Sequence, residues 1–267
     1  MEGAVIEFIK FTNGIEIAFD DRGEGEPLIL LHGFCGTSAY WERIVPELES
    51  KYRIITPDLR GHGQSSIPDE MYSMDLIAED IMGLMDVLEL PKVSLFGHSL
   101  GGYAALAFAE KYPDRLERVA LIHSTGFPDT EEAMAKRLKD IADINREGMY
   151  PYIEGLIPKL FAPEHLVTMP EQVEAAKQIG RTTTAKGAIH TLQGMRCRPD
   201  RREVLSTIEV PVLLVAGSED QVIPAEKALI VEGPQITRVK LEGMGHLSMI
   251  ESPEELTIVI RNFLEKT

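Results

Sequence analysis

The stretch VSLFGHSLGG (residues 93–102) places Ser99 between two glycines. The pattern G-x-S-x-G is typical of enzymes in which a serine hydroxyl, raised on a turn between a strand and a helix, attacks a carbonyl carbon. By itself the match is weak, because it arises by chance in roughly one chain in ten of this length. The apolar run before Ser99 and the small-residue helix after it strengthen the match, since Gly97 and Gly101 would let the backbones cross closely. We predict that Ser99 is a nucleophile; the alternative is an incidental serine in a glycine-rich turn.

A serine hydroxyl needs a base to remove its proton, and that base needs an acid to orient it. Of the seven histidines, His246 lies in EGMGHLSMIESPEEL, directly after the last predicted strand. Asp220 also follows a predicted strand, in LLVAGSEDQVIP, with Glu219 as its immediate competitor. Each candidate follows a different strand, and their order is serine, acid, histidine. We therefore predict a triad of Ser99, Asp220 and His246; a surface residue is the alternative for a loop histidine.

Acyl transfer also needs hydrogen-bond donors for the negatively charged oxygen of the intermediate. In the run LLHGFCG, Gly33 lets the backbone pass close to the nucleophile, and we predict the N–H groups of Phe34 and Leu100 as the two donors. His32 is expected to brace this loop, whereas His98 either packs or lines the pocket. No two histidines have H-x-x-x-H spacing, so the sequence predicts no metal site.

The composition is that of an acidic globular protein of 267 residues, with 44% hydrophobic residues, 26% charged residues and a net charge of −16. This charge argues against nucleic acid or an anionic membrane as a partner, because both attract clustered Lys and Arg. The N-terminus does not resemble a signal peptide, and no apolar run reaches the roughly 18 residues of a membrane span. We expect Cys35 and Cys197 to be buried or half-buried thiols, and the protein to be cytoplasmic.

Strands and helices alternate along much of the chain, which is typical of parallel β-α-β units. Asn13-Gly14 between two alternating apolar stretches predicts an initial hairpin. The alternation stops near Gly126 and resumes at VPVLLVAGSED, and the intervening stretch reads as helical. We predict a core of residues 1–126 and 203–267 with a helical cap of residues 127–202. Helices are expected over 39–48, 73–90 with Ser73 as N-cap, 100–113, 225–233 and 253–265.

Five motifs together resemble the α/β-hydrolase fold superfamily. They are HGF at 32–34, DLRGHGQSS at 58–66, GHSLGG at 97–102, GSEDQVIP at 217–224 and GHLSMIESPEEL at 245–256. The most similar branch contains small carboxylesterases, enol-lactone hydrolases and meta-cleavage C–C hydrolases. The resemblance implies an eight-stranded, mostly parallel sheet with a helical cap over the site. Ser99 stands where epoxide hydrolases and haloalkane dehalogenases carry Asp, and Phe34 stands where perhydrolases usually carry Trp.

The expected activity is hydrolysis of small-molecule carboxylic esters with short to medium acyl chains, through an acyl-enzyme and without a cofactor. The alternatives are a lactone hydrolase, a C–C hydrolase or a perhydrolase with the same triad, and a slow-turnover ligand receptor of the same fold. We expect a monomer or homodimer. The candidate substrate-contacting residues, for which ordinary packing is the alternative, are Phe34, His98, Met134, Leu156 and Leu160.

Overall fold

A computed structural model describes residues 6–11 and 14–267 of the chain. Its strands form one eight-stranded sheet in the order β1-β2-β4-β3-β5-β6-β7-β8. The strands are β1 Glu7–Lys10, β2 Glu16–Arg22, β3 Glu26–Leu31, β4 Tyr52–Pro57, β5 Val93–His98, β6 Leu116–Ile122, β7 Val212–Gly217 and β8 Ile236–Leu241. β1 pairs with β2, and β2 with β4, in antiparallel fashion, and the other neighbours are parallel. The predicted α/β class with a mostly parallel sheet is confirmed.

The helices are α1 Val45–Leu48, α2 Met74–Val87, α3 Leu100–Lys111, α4 Glu131–Glu147, α5 Met149–Leu156, α6 His165–Thr168, α7 Pro170–Arg181, α8 Ala185–Arg196, α9 Arg202–Thr207, α10 Ala225–Ala228, α11 Ser248–Glu251 and α12 Pro253–Lys266. The Ser73 hydroxyl accepts the N–H of Leu76 at 3.1 Å, so the predicted cap of α2 is confirmed. Within the described ranges, no helix has the length and apolarity that a bilayer crossing demands.

Two predicted helices are much shorter in the structure. Residues 39–48 form only a 3-10 turn and the four-residue α1, where Pro46 lies in the first turn and has no N–H to continue the earlier turn. Residues 225–233 form only the four-residue α10. The β-branched Ile230 and Val231 and the following Gly233 lower helix propensity there. Of the predicted Asn13-Gly14 turn, Asn13 lies outside the described residues, although β1 and β2 pair as a hairpin would.

The central strands are buried on both faces. Along β3, Leu28 and Leu30 belong to one apolar cluster, whereas Ile29 and Leu31 belong to another on the opposite face. This follows from the two-residue period of a strand. The helices α2 and α3 cover one face and α12 the other. Because helices cover both faces of a parallel sheet of this kind, the loops at the strand ends are where functional residues can reach a ligand.

The carboxyl ends of the parallel strands meet at one edge of the sheet. The residues that follow these ends include Phe34 after β3, Ser99 after β5, His123 after β6, Asp220 after β7 and His246 after β8. Ligands of open α/β sheets bind at such an edge. The topology therefore collects the predicted site residues in one region.

The connection from β6 to β7, residues 123–211, is described throughout and contains helices α4 to α9 and no strand. Asp129 near its start pairs with Arg137 on α4 and with Arg198 beyond α8, so one buried carboxylate ties the two ends of the helical segment together. The helical content expected for residues 127–202 is observed, and the division into core and cap stays a prediction.

The two cysteines differ in exposure. Cys35 is buried, and burial raises the pKa of its thiol. Cys197 is exposed, so the expectation that both thiols are at least half-buried is wrong for this residue. It is the C-terminal cap residue of α8.

Candidate active site

Ser99 lies on a sharp turn between β5 and α3, with a backbone φ of +49° and ψ of −110°. A positive φ is unfavourable for a residue with a side chain and costs about 1–3 kcal/mol, so the surroundings must hold it in place. The Ser99 N–H donates to the carbonyl of Ile122 at 3.0 Å, and its carbonyl accepts the Ser124 hydroxyl at 2.8 Å. Both partners come from the neighbouring strand β6 and the residues after it, which therefore help to fix the turn.

The glycines on either side of Ser99 are required by close backbone contacts. A Cβ atom at Gly97 would lie 2.2 Å from the carbonyl oxygen of Gly101, and one at Gly101 would lie 2.6 Å from the carbonyl oxygen of Leu31. Each distance is far below van der Waals contact. The G-x-S-x-G spacing therefore reflects the geometry of this turn rather than chance.

His246 and Asp220 form a buried hydrogen-bonded pair. The His246 Nδ1 lies 2.7 Å from Asp220 Oδ2, and the residues are 2% and 8% exposed. The other carboxylate oxygen accepts the N–H groups of Val222 and Ile223 at 2.8 and 2.9 Å. Burial raises the pKa of the Asp220 carboxyl, but His246 and His123 outweigh burial and hold this pKa far below its usual range. An ionised Asp220 keeps a proton on His246 Nδ1 and leaves Nε2 as the basic nitrogen.

The structure brings Asp220, and not its neighbour Glu219, to the histidine. Glu219 is exposed, and its N–H donates to the carbonyl of Met244. The sequence analysis predicted Asp220 and named Glu219 as its competitor, because both carboxylates follow β7 by only a few residues.

A further histidine, His123, contacts the same carboxylate and was missed in the sequence. It directly follows β6 with a φ of +49° and is fully buried. Its Nδ1 lies 3.3 Å from Asp220 Oδ2, and its Nε2 lies 2.7 Å from the Ser248 hydroxyl. Burial lowers the pKa of His123 despite the neighbouring carboxylate. The available signal was its position, since a polar residue right after β6 must reach the same edge as the other candidates.

Asp220, His123 and His246 could also be considered as metal ligands, since their donor atoms lie within 4.8 Å of one another. Two ligands of a tetrahedral zinc ion with bonds of about 2.1 Å would be about 3.4 Å apart. The 2.7 Å separation of His246 Nδ1 and Asp220 Oδ2 is instead a hydrogen-bond distance. The donor geometry therefore favours an acid–base pair over a metal centre.

His98 packs beneath the site. Its Nε2 lies 2.8 Å from the carbonyl oxygen of His246, and a Cβ atom at Gly33 would lie 2.6 Å from its Nδ1. Only 1% of the residue is exposed. Burial, followed by the neighbouring histidines, lowers its pKa well below the usual value, so the ring is neutral. These contacts favour the packing role of His98 over the pocket-lining one.

The predicted oxyanion donors belong to two segments that adjoin Ser99, and their role stays a prediction. Leu100 is the first residue of α3, where a backbone N–H has no intrahelical acceptor. The loop carrying Phe34 lies against Ser99, since a Cβ at Gly33 would be 3.3 Å from the Ser99 Cβ. His32 braces this loop, because its Nδ1 bonds the Gly33 carbonyl at 2.8 Å and its Nε2 accepts a backbone N–H at 2.9 Å.

The candidate substrate-contacting residues differ in how closely the structure ties them to the triad residues. The Leu160 carbonyl accepts the N–H of His246 at 2.7 Å. The Phe34 ring makes an edge contact with Tyr152, at a centroid distance of 6.3 Å, and Tyr152 was not singled out in the sequence. Leu156 packs against the core, and Met134 is half-buried on α4. The Leu160 backbone therefore bonds to His246 directly, and substrate contact by Phe34, Met134, Leu156 and Leu160 stays a prediction.

The fold and the positions of these residues define a class of protein. Residues 26–253 match the family model of the alpha/beta hydrolase fold. Many members of this class carry a serine on a strand-to-helix turn, followed along the chain by an acid and then a histidine. The chain belongs to the α/β-hydrolase fold family, and the resemblance drawn from the motifs is confirmed.

The chain is similar to several known proteins, of which three are described. A thermophilic esterase from Thermogutta terrifontis is 35% identical, superimposes with a TM-score of 0.92, and matches over 99% of both chains. The 2-hydroxymuconate semialdehyde hydrolase of a Pseudomonas species is 30% identical over 94% of this chain and 91% of its own. The dihydrolipoyllysine-residue acetyltransferase component of an acetoin cleaving system from Pseudomonas putida is 34% identical over 93% of this chain, which spans 66% of that relative.

Proposed function

We propose that this protein is a serine hydrolase that cleaves carboxylic esters of short to medium acyl chain through an acyl-enzyme intermediate. The observation that supports the proposal most is the buried 2.7 Å hydrogen bond between His246 and Asp220, at the sheet edge where Ser99 occupies a turn with positive φ. The similarity to an esterase of 35% identity favours esters among the substrates of this fold family.

In the first half of the reaction, His246 Nε2 removes the proton of Ser99, whose Oγ attacks the ester carbonyl carbon. The carbonyl oxygen becomes negatively charged and is stabilised by the N–H groups of Phe34 and Leu100. Asp220 stabilises the protonated imidazole through its bond to Nδ1. The proton then passes from His246 to the leaving alcohol as the carbon–oxygen bond breaks, which leaves the acyl group on Ser99.

In the second half, the alcohol departs and a water molecule approaches the acyl carbon. His246 removes a proton from this water, and the resulting hydroxide attacks the ester to Ser99. The same two N–H groups stabilise the second tetrahedral intermediate. Its collapse releases the carboxylic acid and returns the proton to Ser99, so none of these steps requires a cofactor.

The direct test is the Ser99→Ala variant. We expect turnover of p-nitrophenyl butyrate (kcat/KM) to fall at least about a thousandfold, because the nucleophile is lost while binding and the oxyanion donors persist. A fluorophosphonate should label the wild type once per chain and should not label the variant. Near-normal turnover by Ser99→Ala, or labelling at another residue, would contradict the proposal.

Carbon–carbon bond hydrolysis is the second candidate, favoured by the 30% identical relative that is a 2-hydroxymuconate semialdehyde hydrolase. A panel of p-nitrophenyl esters of increasing acyl length, lactones, peracid formation and a ring-fission diketone separates the possibilities by their ratios of kcat/KM. Esters should give the highest value. A higher value for the diketone or a lactone would replace the ester proposal. Stoichiometric labelling of Ser99 without turnover of any substrate would instead identify a slow ligand receptor.

We propose that the helical segment over 127–202 covers the site as a cap, and that Phe34, Leu156 and Leu160 contact the acyl or alcohol group. The net charge of −16 supports a small molecule rather than nucleic acid or an anionic membrane as the partner. Cytoplasmic location and a monomeric or homodimeric state stay predictions.

A further inference from the structure

One buried carboxylate, that of Glu251 on α11, receives hydrogen bonds from the loop that carries His246 and from the helical segment between β6 and β7. Its side chain is fully buried, with 0% exposure. Oε1 accepts the N–H of Leu247 at 3.1 Å, and Oε2 accepts the N–H of Gly245 at 3.2 Å. These two residues flank His246 in the chain. Glu251 therefore holds the backbone on both sides of the proposed base.

The same carboxylate also binds the helical segment between β6 and β7. Oε2 accepts the N–H of Ala162 at 2.8 Å and lies 2.6 Å from Nδ1 of His165. A separate bond joins the same two regions, since the His246 N–H donates to the Leu160 carbonyl at 2.7 Å. The hydrogen bonds to Glu251 and the neighbouring bond between His246 and Leu160 therefore join residues 160–165 to the loop that carries His246.

The chemistry of this cluster requires a carboxylate rather than any side chain of similar shape. Four N–H groups converge on two oxygens, and an ionised carboxylate can accept all of them. A glutamine amide has the same volume but replaces one oxygen with an NH2 group, which would face at least one of the donors. With the NH2 group in place of Oε1, the Leu247 N–H would lose its acceptor; with NH2 in place of Oε2, the Gly245 and Ala162 N–H groups would lose theirs. Either loss leaves an unpaired donor in a buried site, which is costly.

We propose that Glu251 is a positioning residue: it holds His246 in its reactive place and couples that place to residues 160–165 of the helical segment. This inference rests on the proposed role of His246 as the base. It predicts that removing one hydrogen-bond acceptor from the Glu251 side chain lowers the reactivity of Ser99, because His246, the base that activates Ser99, is then less well positioned.

The test compares Glu251→Gln with the matched control Glu254→Gln, a nearby glutamate whose side chain is 76% exposed and pairs with Arg43 at the surface. The readout is the second-order rate of Ser99 labelling by a small fluorophosphonate, which depends on the base but little on substrate contacts. For Glu251→Gln we expect about a 10- to 100-fold lower rate, since misplacing a catalytic group by about 1 Å costs up to this much. The kcat for p-nitrophenyl butyrate should fall in parallel, with a smaller change in KM, and the control should stay within twofold of wild type.

A second variant covers the case in which Glu251→Gln does not fold, as judged by circular dichroism. His165→Phe removes only the side-chain donor on the helical segment, and we expect labelling to slow by more than twofold but less than in Glu251→Gln. Labelling at the wild-type rate in a folded Glu251→Gln variant, or in His165→Phe if only that variant folds, overturns the proposal. Ser99→Ala distinguishes this failure from failure of the proposed function: if Ser99→Ala abolishes turnover, the triad stands and only the positioning role is lost.

Discussion

At the scale of single residues, the ionisation of the candidate site depends on two buried histidine rings that contact the Asp220 carboxylate and on a third ring, His98, that packs against both of them. His246 and His123 both place Nδ1 near Asp220 Oδ2, at 2.7 and 3.3 Å, whereas two backbone N–H groups bind the other oxygen. Burial lowers the pKa of both His98 and His123, so these rings stay neutral near pH 7. The carboxylate is therefore the fixed negative charge that can stabilise a proton on His246.

Replacing Asp220 with Asn should separate this electrostatic role from packing. Asp220→Asn keeps the shape but removes the charge and offers an N–H that favours the wrong tautomer of His246, so kcat/KM for a p-nitrophenyl ester should fall roughly 10,000-fold. The matched control is Glu219→Gln on the exposed neighbour, which should change kcat/KM less than threefold. A larger loss of kcat/KM in Glu219→Gln than in Asp220→Asn would contradict the assignment of Asp220 as the acid.

At the scale of elements, the connection from β5 to α3 shows how close backbone packing creates the turn that carries Ser99. The strand delivers the chain at the sheet edge, and α3 begins at Leu100 directly against it. Gly97 and Gly101 face each other at a distance that admits no side chain. The turn is therefore a property of the packed strand and helix together.

The Gly97→Ala variant tests this requirement. Its Cβ would lie 2.2 Å from the Gly101 carbonyl oxygen, so the turn must shift, and we expect a loss of about 2 kcal/mol or more in the free energy of unfolding together with loss of esterase activity. Gly155→Ala in α5 is the matched control, because no described atom other than its chain neighbours and the nearby backbone of its own helix lies within 4 Å of the added Cβ. This control should be neutral or gain up to about 1 kcal/mol from helix propensity. Urea unfolding measures both, and equal effects in the two variants would refute the steric argument.

At the scale of the whole molecule, buried neutral histidines link folding to pH. Burial lowers the pKa of His32 from 6.5 to about 4 and, with His32 as a neighbour, that of His62 to about 3. Below pH 6.5 the unfolded chain binds protons at these residues that the folded protein does not bind. The contribution of these two histidines to the free energy of unfolding is therefore fully present above pH 6.5. It decreases as the pH falls below 6.5 and levels off near their folded pKa values.

For His32 alone, lowering the pH from 7 to 5 should cost about 2 kcal/mol, which follows from the shift in its pKa. The measurement is the free energy of unfolding in urea at several pH values, for wild type and His32→Gln. Glutamine can replace both hydrogen bonds of the ring but does not titrate, so the variant should show a shallower decrease with falling pH, whatever its stability at pH 7. Identical pH dependence of the free energy of unfolding in the two proteins would contradict the lowered pKa of His32 in the folded protein.

The sequence by itself determined the features that depend on neighbours along the chain. Apolar runs ending in glycine predicted β3 and β5, the small-residue stretch predicted α3, and these together placed Ser99 on a turn. Strand order along the chain then placed Asp220 and His246 at the same edge, because parallel strands end together. Short helices such as α1 and α10 were overestimated, since helical spacing over ten residues does not ensure a continuous helix.

Only the tertiary structure decided which polar groups meet. The contact of His123 with Ser248 and the hydrogen bonds of Glu251 to Ala162 and His165 join residues as far as 125 positions apart. No local pattern carries these pairings, because each depends on where two distant segments cross. The physical reason is burial: a polar group removed from water must find a partner, and the folded chain alone determines which partner lies within hydrogen-bond distance.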